Sequence, residues 1–335
     1  MTDTATSAGP PRQTPRRGEF TLIDRFFTDL GPVRSDVRLG VGDDCALLTV
    51  PAQTDLAVSL DTLCAGVHFF PDCAPHAVGH KSLAVGLSDL AAMGATPAWA
   101  TLALTLPRRD DAWVGDFARG FRELAEAHGV RLVGGDTTRG PLSVTVQVHG
   151  LVASGTAVRR SGACVEDLIW VSGTLGDAAL ALDRLRAGKS PDPALRARLE
   201  RPTPRVTLGV ALRGLASAMI DLSDGLAGDL GHILAASGVG ALIDVSALPL
   251  SPAVRAQVRA TANWTLPVAG GDDYELCFSA PARHADAIRA LGAGCGCPLR
   301  VIGRVRPEPG LQLRDADGTT VNLASVGYDH FTTEP

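Results

Sequence analysis

Four short segments of this 335-residue chain set glycine beside aspartate: Gly42-Asp43-Asp44, Gly134-Gly135-Asp136, Ser223-Asp224-Gly225 and Gly270-Gly271-Asp272-Asp273. Each reads as the end of an apolar strand. Glycine lets the backbone turn sharply and lets a ligand approach main-chain N–H groups, while the aspartates set carboxylates on the loops. One such segment alone is ordinary turn chemistry. Four, each after an apolar run, point to a shared site. Clustered carboxylates repel one another unless positive charge lies between them, and the chain has only two lysines, Lys81 and Lys189. Arginine or a metal must therefore supply the charge. Oxygen ligands select a hard cation, with Mg2+ the natural choice, and Mg2+ takes one or two carboxylates together with water and substrate phosphates. The expected chemistry is phosphoryl transfer from a metal-bridged polyphosphate.

Two further pieces fit that chemistry. Ser59 and Asp61 fall on the same side of a strand over 55–62, roughly 7 Å apart at two residues' rise. A shared metal or an exposed strand face accounts for that pair about equally well. Asp89 lies in a helix over 75–93 with Val85, Gly86, Ala92 and Met93 as face neighbours. A carboxylate on so apolar a face is costly to bury unless it is paired or metal-bound. Competing motifs fail. Gly188-Lys189-Ser190 resembles the end of a Walker A loop, but Asp183 stands where that loop needs glycine and Pro191 follows. Gly40-Val41-Gly42 has Cys45 where a dinucleotide fingerprint wants its third glycine. His-Glu-x-x-His and Gly-x-Ser-x-Gly are both missing. The histidines show no metal-ligand spacing, and His149, on an alternating strand, reads as structural. Cys295-Gly-Cys297 reads as small residues in a glycine-rich turn.

The elements that must position these groups follow from periodicity. Leu22, Ile23, Phe26, Phe27 and Leu30 recur at helical spacing before Gly31-Pro32. Strands are expected at 37–41, 55–62, 98–106, 130–133 and 142–152, with helices at 75–93 and 112–128. A second unit begins with a strand at 168–172 and a helix over 177–187. A proline-punctuated linker, 190–204, leads to a helix at 205–216, a strand at 218–222, a helix to about Ser237 and a strand at 241–245. Strand 274–279, helix 282–291 and short strands near 299–305 and 311–323 complete it. Strands and helices mix with several neighbouring strands, so the fold class is α+β in two domains rather than a strictly alternating parallel sheet. The expected division is a polar, disordered tail over 1–17, an N-terminal domain over 18–152 and a C-terminal α+β domain over 153–335.

Composition narrows the class. Thirty-one basic against thirty-six acidic side chains give a net charge of −5, which excludes a nucleic-acid binder working through bulk positive charge. No apolar run approaches the ~20 residues needed to cross a bilayer, and the first seventeen residues lack the apolar core of a secretory signal. A soluble, cytoplasmic protein without a membrane partner is expected. Seven scattered cysteines with no C-x2-C pair indicate neither a disulfide framework nor a zinc site.

Taken in order, GVGDDCALL (around Asp43-Asp44), SLDTLCAGVHF (59–69), KSLAVGLSDLAAMGA (81–95), LVGGDTTRGP (132–141), RRSGA (159–163), IDLSDGLAGDLGHI (220–233), GGDDYELCF (270–278) and GYDHF (327–331) resemble thiamine-monophosphate kinases. That family sits in the aminoimidazole-ribonucleotide-synthetase-like superfamily of ATP-using enzymes. The match runs from about residue 18 to 335. The resemblance implies transfer of the γ-phosphoryl group of ATP to thiamine monophosphate by direct in-line attack, with several Mg2+ ions and K+ as a candidate monovalent ion. It also implies a homodimer whose N-terminal sheets join in a barrel-like core. By matching position, Asp44, Ser59, Leu60 (through its carbonyl), Asp61, Asp89, Asp136, Asp221 and Asp224 resemble metal ligands, with Asp44, Asp136 and Asp224 closest to the chemistry. Gly135, Asp136, Arg160 and Ser223 resemble ATP contacts, and His68, Asp272 and Tyr328 resemble thiamine-phosphate contacts. Leu60 stands where relatives often carry Thr, and Asp272 where Glu is common. The alternatives are another ATP-using synthetase of the superfamily and a nucleotide-binding protein without turnover. Selenophosphate synthetases carry a reactive Cys or selenocysteine beside Lys in a glycine-rich N-terminal segment, and residues 1–44 contain neither Cys nor Lys.

Overall fold

The computed structural model describes residues 19–323 and Gly327. The tail over 1–17 and Tyr328 lie outside the described residues. The first half runs α1 (Glu19–Leu22) with a π-helical turn at Ile23–Phe27, then β1 (Val37–Leu39), β2 (Leu47–Leu48), β3 (Thr54–Cys64), α2 (Pro75–Ala92), β4 (Thr96–Leu106), α3 (Asp111–His128), β5 (Arg131–Arg139) and β6 (Ser143–Ala153). The second half runs β7 (Leu168–Ser172), α4 (Asp177–Arg186), α5 (Pro193–Glu200), α6 (Val206–Ala211), β8 (Ala218–Asp221), α7 (Leu226–Ser237), β9 (Gly240–Asp244), α8 (Pro252–Thr261), α9 (Thr265–Ala269), β10 (Leu276–Ala280), α10 (Ala285–Gly294), β11 (Leu299–Arg306) and β12 (Gly310–Arg314).

Four strands of the first half form a sheet in the order β3-β6-β4-β5. β3 and β6 pair antiparallel without interruption from Thr54 opposite Ala153 to Cys64 opposite Ser143. β4 pairs antiparallel with β6 and parallel with β5, the parallel pair being joined by α3. α3 starts on Asp110, whose carboxylate accepts from the Trp113 N–H, and ends at Gly129 in the left-handed region. α2 opens on Pro75 and is buried almost all round, because the sheet, α3 and the second half all pack on it. Its approach to α3 needs glycine on both sides. A Cβ on Gly79 would meet the Phe117 carbonyl at 2.0 Å, and one on Gly120 the His76 carbonyl at 1.9 Å.

Six strands of the second half form a mostly antiparallel sheet, β12-β9-β11-β7-β10-β8, with β12 parallel to β9. One apolar cluster crosses from Phe27 and the α2 residues Leu83 and Leu87 to Trp170, Met219 and Phe278, so the two halves share a core. Among the described residues no helix is long and apolar enough to cross a membrane.

The α+β class holds, with local differences from the expected elements. β5 does not stop before Gly134 but continues through Gly135 and Asp136 to Arg139, since β4 pairs with it along that length. The expected linker contains α5, capped by the Asp192 carboxylate with Pro193 in the first turn. α8 and α9 occupy a stretch where no element was expected. Gly270 therefore follows a short helix, not a strand. The helix expected over 205–216 ends at Ala211, and the strand expected over 311–323 ends at Arg314.

Candidate active site

β3 and α2 build the first part of the site. Alternation along β3 turns Ser59 and Asp61 inward, under α2, and leaves Leu60 on the outer face, 59% exposed. Gly86 of α2 lies over this strand and its neighbour β6: a Cβ there would meet Val148 at 2.9 Å and stand 3.5 Å from Asp61 Oδ2. One turn further, Asp89 accepts a hydrogen bond from the Ser59 hydroxyl. Asp221, at the end of β8, closes the group from the second half of the chain and is buried.

The electrostatics of this group are those of carboxyls without enough positive charge. Burial, then the neighbouring Asp89 charge, pushes the Asp61 carboxyl up to about 7. Burial raises Asp89 as well, although the Ser59 hydroxyl and the Arg160 charge act in the opposite direction. Burial, then Asp89, pushes Asp221 up to about 8. Asp61 Oδ2 is buried without a hydrogen-bond partner. A hard cation fits this arrangement, because it would relieve the repulsion and satisfy that oxygen. Among the described residues no three His, Cys, Asp or Glu side chains come close enough to chelate an ion by themselves.

The loop after β8 carries Ser223, Asp224 and Gly225. Asp229, one turn into α7, accepts from the Asp224 and Gly225 N–H groups at 3.1 Å and so fixes the turn. Burial still pushes its carboxyl up to about 7. Beside this loop runs the segment after α9: Asp272 N–H donates to the Ser223 carbonyl and Tyr274 N–H to the Leu222 carbonyl, both at 2.8 Å. Asp272 and Tyr274 take φ values of +68° and +49°, strained for side-chain-bearing residues. The Tyr274 hydroxyl is raised well above its ordinary range by burial, then by Asp272, which it bonds, and by Asp221.

A buried polar frame holds this strained segment. Asp273 accepts from the Gly176 N–H at 2.9 Å. Glu275, fully buried, receives Ser172 Oγ at 2.5 Å, Arg205 Nε at 2.7 Å and Arg198 Nη2 at 2.8 Å. Gly327 also reaches the site, since a Cβ on it would lie 3.4 Å from the Asp224 carbonyl.

Two of the expected substrate contacts line one pocket between the halves. His68, on the loop after β3, and Asp272 share it with Lys81, Phe69, Phe70 and Glu200. His68 is turned by the Cys64 N–H, which donates to its Nδ1 at 3.0 Å.

Three other expected residues stand apart. Gly135 lies on the same cross-strand row as Asp61, through Val146 and Leu102, but at the opposite sheet edge. Three strand spacings put them roughly 14 Å apart. Asp136 belongs to the next row, with Ala103, Thr145 and Thr62, and so faces the other side of the sheet. Val41, just before Gly42-Asp43-Asp44, lines a groove with Gly134, Gly135 and Asp136. Asp44 is exposed on that loop. The expected ligands thus form two groups, one under α2 and one at the β5 edge.

The sequence reading passed over Lys81 and Tyr274. Lys81 was visible as one of two lysines, set eight residues before Asp89 on the same helix. Nothing in the spacing marks Tyr274, whose position depends on the left-handed backbone around it.

Family models agree with the architecture. The N-terminal domain of AIR synthase related proteins matches residues 42–152, and the C-terminal domain matches residues 165–316. The chain is 48% identical over 324 residues to thiamine-monophosphate kinase of Salmonella typhimurium, covering 94% of this chain and 99% of that protein. It is 42% identical over 323 residues to that of Haemophilus influenzae, covering 94% and 98%. The crystal structure of thiamine-monophosphate kinase from Stenotrophomonas maltophilia superposes with a TM-score of 0.81 at 48% identity, over 86% of this chain and 93% of that one. AaThiL complexed with AMPPCP and TMP superposes with a TM-score of 0.74 at 30% identity, over 95% and 99%. Hydrogenase maturation protein HypE, at 21% identity and a TM-score of 0.74, shares the fold. With identity of this level running through nearly the whole length, and with both domain models matched in order, the chain belongs to the thiamine-monophosphate kinase family.

Proposed function

We propose that the protein transfers the γ-phosphoryl group of ATP to thiamine monophosphate, giving thiamine diphosphate and ADP. The observation that carries this reading is the adjacency of two features between the halves: the pocket holding His68 and Asp272, and the carboxyl group of Asp61, Asp89 and Asp221. An oxygen of the substrate phosphate attacks the γ-phosphorus, and the bond to the β–γ bridging oxygen breaks with its electron pair leaving on ADP. The attacking oxygen is already anionic at neutral pH, so no strong general base is required. The protein's task is to hold two polyanions in line.

Asp44, Ser59, the Leu60 carbonyl, Asp61, Asp89, Asp136, Asp221 and Asp224 are the residues that would hold Mg2+, with K+ a further candidate ion. When bound, such ions neutralise phosphate charge. Gly135, Asp136, Arg160 and Ser223 orient the nucleotide, and His68 and Asp272 orient thiamine monophosphate. The outer face of β3 supports a homodimer, since Leu56, Val58 and Leu60 are 42%, 51% and 59% exposed on an edge strand. A second copy placing its β5 edge beside this β3 would bring the two ligand groups together.

Incubation with ATP, Mg2+ and thiamine monophosphate, with product read by chromatography after oxidation to the fluorescent thiochrome form, tests the reading. Thiamine diphosphate should accumulate with equimolar ADP. No product above a control lacking the protein would remove it.

A further inference from the structure

We propose that Lys81 is a positioning residue for the substrate, a buried ammonium that ties together the two walls of the thiamine-phosphate pocket; the inference rests on the functional reading above. The Lys81 side chain is 4% exposed, and its Nζ lies 3.0 Å from Asp272 Oδ1. The same nitrogen donates to the His68 carbonyl at 3.3 Å. One group therefore touches both segments that face the substrate, one from each half of the chain. Each segment is held from its own side, the His68 turn by Cys64 and the Asp272 segment by the loop after β8, and the lysine joins the two. His68 sits on a turn after β3, and Asp272 occupies the left-handed region, anchored to Ser223. α2 is buried almost all round, so it gives the lysine a fixed origin.

Charge supports the same role. A buried ammonium is retained where it is paired, and here its partner is Asp272, one of two carboxylates lining the pocket. The buried Tyr274 hydroxyl, which bonds Asp272, also lies within the field of Asp221 and Asp61. Without Lys81 the pocket would add an uncompensated carboxylate to that side, against the phosphate end of the substrate. With it, the substrate meets an ion pair of fixed geometry. A compact ammonium can serve a carboxylate and a carbonyl at once.

Steady-state kinetics on the full chain test this, comparing wild type, Lys81→Met and Lys81→Arg. Lys81→Met should raise KM for thiamine monophosphate by about tenfold or more while KM for ATP moves by less than about twofold, and Lys81→Arg should recover most of the loss. Added to Asp272→Asn, Lys81→Met should have little further effect, because the ion pair is already broken. That comparison carries the test if the single methionine variant does not fold. Equal rises in both KM values, an unchanged KM for thiamine monophosphate, or additive effects in the double variant would overturn the proposal. A wild-type chain that makes no thiamine diphosphate would instead refute the functional reading. Amide exchange then decides on Lys81: residues 64–70 and 271–275 must loosen together in Lys81→Met, and protection unchanged in either segment would refute the tie.

Discussion

Asp221→Asn should stabilise the metal-free protein while abolishing its turnover. In the folded chain the Asp221 carboxyl is pushed from 3.8 up to about 8, chiefly by burial. In the unfolded chain it ionises in the ordinary carboxylate range. Between those values the folded state holds a proton that the unfolded state has released, so stability falls as pH rises from about 4 and levels off above about 8. At about 1.36 kcal/mol per pH unit, the full rise is of order 5 kcal/mol against folding at pH 8. An asparagine does not titrate, but its amide is also buried with imperfect partners, which offsets part of the gain. A net stabilisation of about 2 kcal/mol corresponds to roughly 3 °C in Tm for a chain of this length. Thermal melts in EDTA at pH 5, 6.5 and 8 should show the variant ahead of wild type by an amount that grows with pH. Added Mg2+ should raise the wild-type Tm at pH 8 and raise the variant's less. A variant melting below wild type at pH 8 in EDTA, or a difference independent of pH, would show that Asp221 is not stored under electrostatic strain.

Asp44→Asn and Asp224→Asn should each lower kcat about a hundredfold at saturating Mg2+, the scale of several kcal/mol lost with a metal-bridged charge; near-normal rates in both would exclude their assigned role. Glu275→Gln should cost about 3–5 kcal/mol, because it leaves Arg198 and Arg205 buried against a neutral amide and turns an NH2 toward their donors. Chemical denaturation measures that loss, and a change under about 1 kcal/mol would mean the frame behind Asp272 tolerates an uncharged centre. Val58→Asp, on the exposed face of β3, should convert a dimer to monomers in sedimentation velocity and lower turnover with it. Full activity in a monomeric variant would show that one chain holds a complete site.

Much of the site was legible because strand alternation and helical spacing are local. Ser59 and Asp61 fall on one side of a strand by parity alone, and the side proves to be the inner one, under α2. Asp89 declared itself as a carboxylate on an apolar helix face, and it is that helix's burial against three neighbours that raises its pKa. The α+β class followed from the same periodicities. Elements with no periodic signature were missed. α9 spans only five residues, Thr265–Ala269, and α5 lay inside a stretch whose prolines read as linker although Pro193 occupies a first helical turn, where proline is at home. β5 was cut short at Gly134 because glycines weaken a strand on local grounds, while pairing to β4 carries it on to Arg139.

What no local rule supplies is which strands are neighbours. Gly134-Gly135-Asp136 and Ser59-Leu60-Asp61 look equally close to a common centre when read along the chain. The order β3-β6-β4-β5 puts them on opposite edges of one sheet, and the parity of the rows puts Asp61 and Asp136 on opposite faces. A single chain cannot fold those edges onto each other, because β6 and β4 fill the space between. The lysine count misled in a related way. Two lysines in the whole chain made a lysine counter-charge look negligible. The count is a property of the chain, whereas the contact at Asp272 is made by one buried ammonium 3.0 Å away. Scarcity elsewhere does not weaken an ion pair whose ammonium is only 4% exposed.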